Sequence, residues 1–463
     1  MGKLNRDDYR FLKIVDAMSA LNQKVNLIGI IVEYGTPNRS KGTDWFVSLR
    51  IVDETHHDRG FLVNVFAESQ GKLPKVETSG DIIQLSHVMM KTHNAETYAL
   101  FNKSYSSFAL YEGKYGDNCK PYQASLKFRQ RDQDKAFVVG LRKWVEGVQL
   151  GTAAKDSVML RQLKEGQCFD LVCKILHVSE VNKDEWMLFI WDGTDVPPLQ
   201  LQSKLDDEIK NPLPLQVEPQ SLPRNILCSF PTVGTTLRVS VQHKNANLII
   251  PSLTTGRWVK FINMTFNVQG GLWCGVLTQE TKLRFVPSDD SYILERQRDY
   301  EERFSSKLNR MPFTSFPWPS RITEVDRKVE DVPLVTLMDI LTYTQVTAKF
   351  KCIVRVVAAL PSKVEDLRSP AGVYRARVTL EDPTARIHAY LYAEDAETFF
   401  EGYPPTDILM RKWNALLGIA GGNGDAAPRN PPWVVCCIKS YYLDENNVWG
   451  SRNFRIFDTT LKC

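Results

Sequence analysis

The sequence predicts an all-β dominated protein made of three small barrels, each built from the same module of strands. An apolar, strand-like run ends three times in Asp-x-Thr, as LRIVDET closing on Thr55, LFIWDGT closing on Thr194 and VTLEDPT closing on Thr384. Asp and Thr favour a tight turn because their side chains bond their own backbone. Three copies of one strand–turn–strand signal therefore indicate one module used three times.

The residues around each turn predict the kind of barrel. Long runs rich in β-branched residues precede the turns, starting at Val25, Cys168 and Val346. A Gly or Pro precedes a later strand in each module, at Gly80, Gly256 and Pro431. A long first strand, a hairpin and two later strands describe the OB-fold, a five-stranded Greek-key barrel. The turn aspartates, 139 and 190 positions apart, are too widely and unevenly spaced for a solenoid.

Changes in composition divide the 463 residues into three OB-fold domains joined by short helices. We end the first domain, 1–150, after a predicted helix in which Phe137, Leu141 and Trp144 repeat at helical spacing. The second domain, 151–300, carries a Pro-rich insertion after its turn and ends in a charged helix. Prolines keep residues 301–331 extended as a linker, and the third domain spans 332–463.

The composition is that of a soluble, intracellular globular protein, with 43% hydrophobic and 24% charged residues. The first residues are charged where a secretory signal is apolar, and no apolar run approaches the roughly 18 residues of a membrane span. We therefore expect no membrane partner. Nine cysteines without a Cys-x-x-Cys pair indicate reduced thiols, and seven histidines show no ligand spacing. No metal or other cofactor is predicted.

Charge is distributed unevenly along the chain. Residues 1–150 hold 21 Lys and Arg against 17 Asp and Glu, a net charge of +4 that equals the excess of the whole chain, 58 against 54. A polyanionic partner would therefore meet the first domain first. An excess of four charges is also typical of an ordinary solvated surface, so charge alone does not identify the partner.

The sequence lacks the motifs of common enzymes. It contains no Gly-x4-Gly-Lys-Ser/Thr loop, no Gly-x-Ser-x-Gly and no His-Glu-x-x-His. The GGNGD run at 421–425 lies between proline-flanked loops rather than opening a helix after a strand, so we do not expect it to cradle phosphate. We predict a binding protein rather than an enzyme, with no small-molecule substrate.

Alternation along the strands of the first barrel sorts its side chains by face. Arg50 lies on the face opposite to Leu49, and Phe66 shares the outward face with a polar neighbour. Lys91 and His93 share one face near a strand end. Tyr34 ends the first strand and leads into the loop GTPNRSKGTDW over the barrel mouth. An outward aromatic ring among Lys and Arg suits single-stranded nucleic acid, because rings stack on bases while cations follow the phosphates.

The residues of this face leave one alternative and suggest one further role. The ring of Phe66 could instead bend back into the core at a barrel corner. Asp44, at the edge of the groove, would accept hydrogen bonds from base amino or imino groups, which favours a guanine-rich strand.

These residues carry a resemblance to a known family. The runs SKGTDW at 40–45, LRIVDET at 49–55, VNVF at 63–66 and FALYEG at 108–113 resemble the first OB-fold of protection-of-telomeres proteins. The run IWDGT at 190–194 resembles their second OB-fold, and the length and compact third barrel resemble the plant branch of the family. The resemblance is strong over residues 10–290 and weak over 332–463.

The resemblance implies binding of the single-stranded, G-rich 3′ overhang of telomeric DNA, with end protection and telomerase regulation at nuclear telomeres as the biology. It places the family's DNA contacts on Tyr34, Lys41, Asp44, Arg50, Phe66, Lys91 and His93. Further candidates for phosphate contact in the second barrel are Lys282 and Arg284. The family's third domain is a diverged, protein-binding OB-fold, which implies telomeric OB-fold proteins and the telomerase ribonucleoprotein as partners.

The second barrel departs from the family pattern. Cys168 stands where relatives place an exposed Tyr, and Gln242 and His243 stand where another stacking Tyr is expected. Trp191 and Trp258 lie within apolar strands, so we expect them in the core. Two alternatives stay open, namely an interaction scaffold that binds DNA weakly and a general single-strand binder resembling replication protein A.

Overall fold

The computed structural model describes residues 10–35, 37–40, 42–77, 80–93, 95–113, 116–148, 157–182, 185–202, 205–241, 250, 253–278, 280–286, 288, 290–306, 310–311, 316–329, 331–419 and 428–462. In these ranges the chain folds into three barrels that follow one another along the sequence, which confirms the predicted OB-fold class. No helix among them has the length and apolar character that a membrane crossing needs.

The first barrel is built from the strands β1 Lys24–Tyr34, β2 Asn38–Arg39, β3 Trp45–Asp53, β4 His56–Ala67, β5 Ile82–His93 and β6 Glu96–Phe101, with β7 Ser107–Tyr111 and β8 Gln123–Ala124 extending the sheet. The order β1-β3-β4-β6-β5 returns to β1, so the five long strands close into a barrel. Among these described strands, β4 and β6 pair in parallel and the other pairs are antiparallel. This is the strand order of a Greek-key OB-fold.

The other two barrels repeat that order. The second uses β9 Cys168–Asn182, β10 Glu185–Trp191, β11 Leu237–Val241, β12 Trp258–Gln269 and β13 Leu272–Leu277, with β14 Lys282–Phe285 at its edge. The third uses β16 Ala348–Leu360, β17 Arg375–Glu381, β18 Arg386–Tyr392, β19 Val434–Tyr442 and β20 Arg452–Phe457, flanked by β15 Thr323–Val325 and β21 Thr459–Leu461. In each, the third and fifth barrel strands are the parallel pair.

Short helices connect and cover the barrels, as predicted. They are α1 Ile14–Ser19, α2 Asp132–Glu146, α3 Arg224–Leu227, α4 Ser291–Ser305, α5 Leu337–Thr342, α6 Ala393–Phe400 and α7 Thr406–Leu417. In α2 the buried apolar residues are Val138 and Leu141, whereas Phe137 is 37% exposed. The eight cysteines that the structure describes are free thiols.

The Asp-x-Thr turns have one structural role in all three barrels. The aspartates are buried, and one carboxylate oxygen of each accepts hydrogen bonds from the backbone and the hydroxyl of the Thr two residues later. The other oxygen accepts from the first backbone N–H of a helical turn before the first strand, at Ile14, Leu160 and Leu337. One carboxylate thus ties the hairpin to the segment that enters the barrel, which explains the repeat in the sequence.

The described parts of the segment 301–331, which we predicted to be a linker, pack against neighbouring elements. Arg303, in the last turn of α4, donates to the Asp195 carboxylate and to the Gly193 carbonyl, each at 2.7 Å. Phe316 packs edge-on against Trp433 of the third barrel, with ring centroids 4.8 Å apart. Strand β15 pairs with β21. The described part of the predicted linker thus contacts both the second and the third barrel.

The second and third barrels form one packed unit. Arg386 of β18 is buried, forms an ion pair with Glu381 and donates to the carbonyls of Pro214, Gly270 and Gly271 at 3.0, 2.8 and 2.7 Å. Pro214 belongs to the Pro-rich insertion, residues 197–225, which lies between the two barrels. By contrast, β1 and β14 join the first and second barrels through few contacts, among them a single antiparallel bridge between Gly35 and Arg284.

Candidate nucleic-acid interface

An aromatic pair stands on the outer face of the first barrel. Phe66 of β4 lies directly opposite Phe46 of β3, and their rings stack with centroids 5.6 Å apart and an interplanar angle of 22°. Both rings are half-buried, whereas their neighbours Val47 and Val65 are fully buried inside the barrel. The period-two alternation of the strands causes this separation. Phe66 therefore points outward, as predicted, and does not bend back into the core.

Asp44 lies at the end of the loop that precedes β3, beside the aromatic pair. Its carboxylate is half-buried and forms an ion pair with Lys103, with Nζ 2.6 Å from the carboxylate oxygen. Lys103 follows β6, so this pair joins two loops at one edge of the outer face. Lys41, which the resemblance also selects, lies outside the described residues.

Arg50 belongs to a row of residues that crosses the outer face from strand to strand. Paired positions place Glu33, Arg50, Leu62, Tyr98 and Lys91 side by side on β1, β3, β4, β6 and β5. The Arg50 guanidinium lies 3.3 Å from the Glu33 carboxylate and 3.2 Å from that of Glu96. Two carboxylates thus balance its charge, which leaves Arg50 less available to phosphate than the sequence suggested.

Lys91 and His93 lie at the far end of this face, where β5 meets the short turn to β6. Lys91 is half-buried and donates to the Asn22 side-chain oxygen at 3.0 Å, while His93 is exposed and stands opposite Glu96. They share one face, as predicted. Because Lys91 has a neutral partner, its charge is not balanced by that contact.

Tyr34, which the resemblance selects as a DNA contact, is buried. Its side chain is 8% exposed, belongs to the core of the first barrel and donates from the hydroxyl to the Pro74 carbonyl at 3.0 Å. Burial raises the pKa of Tyr34 to about 12. A β-bulge between Ile31 and Glu33 shifts the register of β1, which turns Tyr34 inward and Glu33 outward.

The two candidates in β14 have different environments. Arg284 forms an ion pair with Glu33 at the contact between the first and second barrels. Burial lowers the pKa of Arg284, and the Glu33 carboxylate opposes that shift. The charge of Arg284, a candidate for phosphate contact, thus takes part in a contact between the two barrels. Lys282 is exposed and remains accessible to a ligand.

The corresponding face of the second barrel is covered. Phe189 of β10 is fully buried beneath Phe230, with ring centroids 5.5 Å apart, and packs with Val217 of the Pro-rich insertion. Arg238, opposite Phe189 on β11, is held by both oxygens of the Glu218 carboxylate at 3.0 and 3.2 Å. The insertion thus occupies the surface on which an OB-fold normally binds oligonucleotides.

The other expectations for the second barrel have mixed outcomes. Trp191 and Trp258 are 4% and 3% exposed and belong to one cluster with α4, so both are core residues as predicted. Cys168 is exposed, and the neighbouring Phe169 packs against Phe266. Gln242, His243 and the GGNGD run lie outside the described residues. Within the described ranges, no group of three or more His, Cys, Asp or Glu side chains is placed to hold a metal ion.

The sequence analysis did not select Phe46 or Tyr98, which both lie on the outer face of the first barrel. Alternation from Arg50 back to Phe46 would have placed this ring on the outer face, so the signal was available. The position of Tyr98 depends on its register with Leu62 and Lys91, which comes from the parallel pairing of β4 with β6 and cannot be read from one strand.

Three family models match the chain in succession. They are described as "Telomeric single stranded DNA binding POT1/CDC13" over residues 5–155, "ssDNA-binding domain of telomere protection protein" over 159–303 and "POT1A-like, OB fold domain" over 318–447. The chain is 43% identical over 466 residues to Protection of telomeres protein 1b of Arabidopsis thaliana, with 100% of both chains covered. It is 39% identical over 474 residues to Protection of telomeres protein 1a of the same plant, covering 98% of this chain and 99% of that one. Identity to Protection of telomeres protein 1 of Homo sapiens is 30% over 176 residues, covering 37% of this chain and 26% of that one.

Proposed function

The chain belongs to the protection-of-telomeres family, and on this premise we propose that it binds the single-stranded, G-rich DNA of chromosome 3′ ends and contributes to their protection. The observation that carries the proposal is the outward pair Phe46 and Phe66 on β3 and β4 of the first barrel. These are the second and third barrel strands, which form the oligonucleotide-binding face of OB-folds. The proposed place of action is the telomeric region of chromosomes in the nucleus.

In the proposed complex, the DNA strand crosses the outer face from the aromatic pair toward the turn between β5 and β6. Bases stack on Phe66 and Phe46, because every base presents a π-face to an aromatic ring. Lys91 and the exposed His93 meet the strand at the far end of the face. Lys41, in the loop before Asp44, is proposed as a further contact on the strength of the family resemblance.

Asp44 is proposed to discriminate between bases. A carboxylate repels phosphate but accepts hydrogen bonds from the imino and amino groups of guanine. The ion pair with Lys103 holds the carboxylate at the edge of the aromatic pair. Base contacts of this kind determine specificity, whereas phosphate contacts only position the strand.

We propose that the second barrel supports the first and adds little stacking of its own, because its equivalent face is covered. Lys282 is the candidate in β14 that can still contact phosphate. The third domain, near residues 332–463, is proposed to contact telomeric OB-fold proteins and the telomerase ribonucleoprotein. The loop after β19 offers a surface for such a partner, since Leu443 is 74% exposed and the adjacent Tyr442 is 38% exposed.

An equilibrium titration of the full chain tests the proposal. G-rich telomeric repeats, their C-rich complement and poly-dT are compared at one stated salt concentration, because affinity for nucleic acid depends on salt. Preferential binding of the G-rich strand is the expected result. Equal binding of all three strands would support a general single-strand binder resembling replication protein A.

The second candidate function is a protein-interaction scaffold with weak DNA binding. The covered face of the second barrel favours it, because that barrel then offers no stacking surface in its described residues. Failure of all three strands to bind, together with capture of telomeric OB-fold proteins, would support this function.

A further inference from the structure

A row of cations crosses the outer face of the third barrel. Paired positions on the five barrel strands place the following side chains next to one another: Arg377 of β17, Tyr390 of β18, Arg455 of β20, Lys439 of β19 and Lys349 of β16. Four of the five are cationic, and the fifth is a tyrosine. The pattern is invisible in the sequence because its members are separated by up to 106 positions, from 349 to 455.

An exposed aromatic position lies directly beside this row. Tyr392 of β18 is 48% exposed and pairs with the exposed Arg375 of β17. Arg375 stands seven residues before the turn aspartate Asp382, as Phe46 stands seven before Asp53. In both barrels the partner on the next strand is aromatic, so Tyr392 occupies the place that Phe66 has in the first barrel.

The charges of the row are only partly balanced. One carboxylate, Asp395, pairs with both Arg455 and Lys439. Arg377 lies 3.5 Å from the carboxylate of Glu208. Two carboxylates therefore face four cations, and Arg375 adds a fifth positive charge that has no ion pair with the described residues. In the first barrel, by comparison, two carboxylates contact Arg50, and one of them, Glu33, also pairs with Arg284.

At this end of the face Tyr392 and Arg375 are exposed, while α6 contributes the Asp395 carboxylate to Arg455 and Lys439. The opposite end, at Arg386 and Glu381, is buried against the second barrel. The Arg455 guanidinium lies over the Tyr392 ring, 5.4 Å from its centroid, and donates to the Tyr392 carbonyl, so the ring is held beside the cations. A phosphate-bearing partner matches the charge, and a planar base matches the exposed ring.

We propose that the third barrel binds single-stranded nucleic acid at this face, with a base stacked on Tyr392 and phosphates along Arg375 and the cationic row. The proposal is independent of the DNA site assigned to the first barrel. Ring and cations together favour nucleic acid over an acidic peptide, because a peptide carboxylate would use the cations and make no use of the exposed part of the Tyr392 ring.

The test uses the full chain carrying Phe66→Ala, so that binding by the first barrel is weakened. Oligo-dU and oligo-rU of equal length, which differ only in the sugar, are titrated over a range of salt concentrations. Tyr392→Ala is expected to lower the affinity about 5- to 150-fold. The double variant Lys349→Ala with Arg375→Ala should reduce the slope of log affinity against log salt by about 1.4, since each phosphate contact in a single strand contributes about 0.7.

Arg411→Ala is the matched control, because it removes an exposed cation from α7, which contributes no residue to the row. It should leave affinity and slope unchanged, and thermal melting should show that all variants remain folded. Tighter binding of one oligonucleotide would identify the sugar that the site prefers, and either result supports the site. Unchanged affinity in Tyr392→Ala together with an unchanged slope in the double variant would overturn the proposal. Failure of the chain that carries Phe66→Ala alone to bind at low salt would also overturn it. Loss of a telomeric protein partner without loss of oligonucleotide would also overturn it, in favour of protein docking.

Discussion

The first and second barrels have the same strand order, but the face formed by their second and third strands is exposed to different extents. Arg50 and Phe189 occupy equivalent positions, each three residues before the turn aspartate of its barrel. In the first barrel this face is half-exposed and bears the stacked rings of Phe46 and Phe66. In the second barrel Phe189 is fully buried beneath the Pro-rich insertion and the residues just after it.

This difference shows that the fold alone does not make a binding site. The second barrel has aromatic and cationic side chains on the equivalent face, but its own insertion uses them as packing partners. Arg238 illustrates the point, because its charge is paired with the buried carboxylate of Glu218 rather than offered to solvent. Accessibility therefore depends on the segment after the Asp-x-Thr turn, and in the second barrel that segment is the insertion.

The largest expected effect concerns the residue that holds the insertion in place. Arg386→Ala should destabilise the full chain by about 3–5 kcal/mol, because it leaves Glu381 with one fewer partner and removes the donor from three carbonyls. Urea unfolding followed by tryptophan fluorescence measures the change. Arg375→Ala, on the exposed part of the same barrel, is the control and should change stability by less than about 0.5 kcal/mol. A small effect of Arg386→Ala would mean that apolar contacts alone hold the Pro-rich insertion in place.

Phe189→Ala separates packing from binding in the second barrel. The loss of a fully buried ring should cost about 3–5 kcal/mol of stability. The affinity of the remaining folded protein for G-rich DNA should not change, because the ring lies under the insertion. Weaker DNA binding at unchanged stability would show that the insertion opens to expose this face.

Asp44→Ala should reduce discrimination in the first barrel. We expect the preference for guanine-containing strands over poly-dT to fall by about 1.5–3 kcal/mol, the range for hydrogen bonds to charged groups. Competition between the two oligonucleotides measures the preference. Glu68→Ala, in an exposed ion pair with Lys72, is the matched control. Equal loss of affinity for both strands would exclude a role in base recognition.

The smallest expected effect concerns Arg284. Its replacement by Ala should change DNA affinity by less than about 0.5 kcal/mol, because the guanidinium is already paired with Glu33. Lys282→Ala, on the same strand, removes an exposed cation for comparison. The measurement is the slope of log affinity against log salt concentration. A decrease of about 0.7 in this slope for Arg284→Ala would reveal a phosphate contact and contradict the prediction.

Much of the fold could be predicted from the sequence because its signals are local. The Asp-x-Thr turns identified three barrels, and each turn proves to fix a hairpin through hydrogen bonds within two or three residues. The outward direction of Phe66 followed from alternation, which holds wherever a strand is regular. Tyr34 shows the limit of that rule, because the bulge in β1 inserts a residue and reverses the faces beyond it.

The remaining features depend on contacts between distant segments. The cover over the second barrel requires residues 217–230 to fold back on β10, and no local pattern shows this. In the sequence Arg284 is a charge near a strand end, and its ion pair with Glu33 depends on the position of the first barrel. The cationic row of the third barrel likewise depends on the register of five strands, which the sequence of any one strand does not contain.

The central claim is that the open face of the first barrel binds the DNA, and Phe66→Ala tests it most directly. Affinity for a G-rich telomeric strand and thermal stability are measured on the same preparation of the full chain. We predict a loss of about 1–3 kcal/mol in binding with an unchanged melting temperature, because the ring is half-exposed and its neighbours Val63 and Val65 form the core. A lower melting temperature with unchanged affinity of the folded protein would contradict the claim and show that Phe66 only packs.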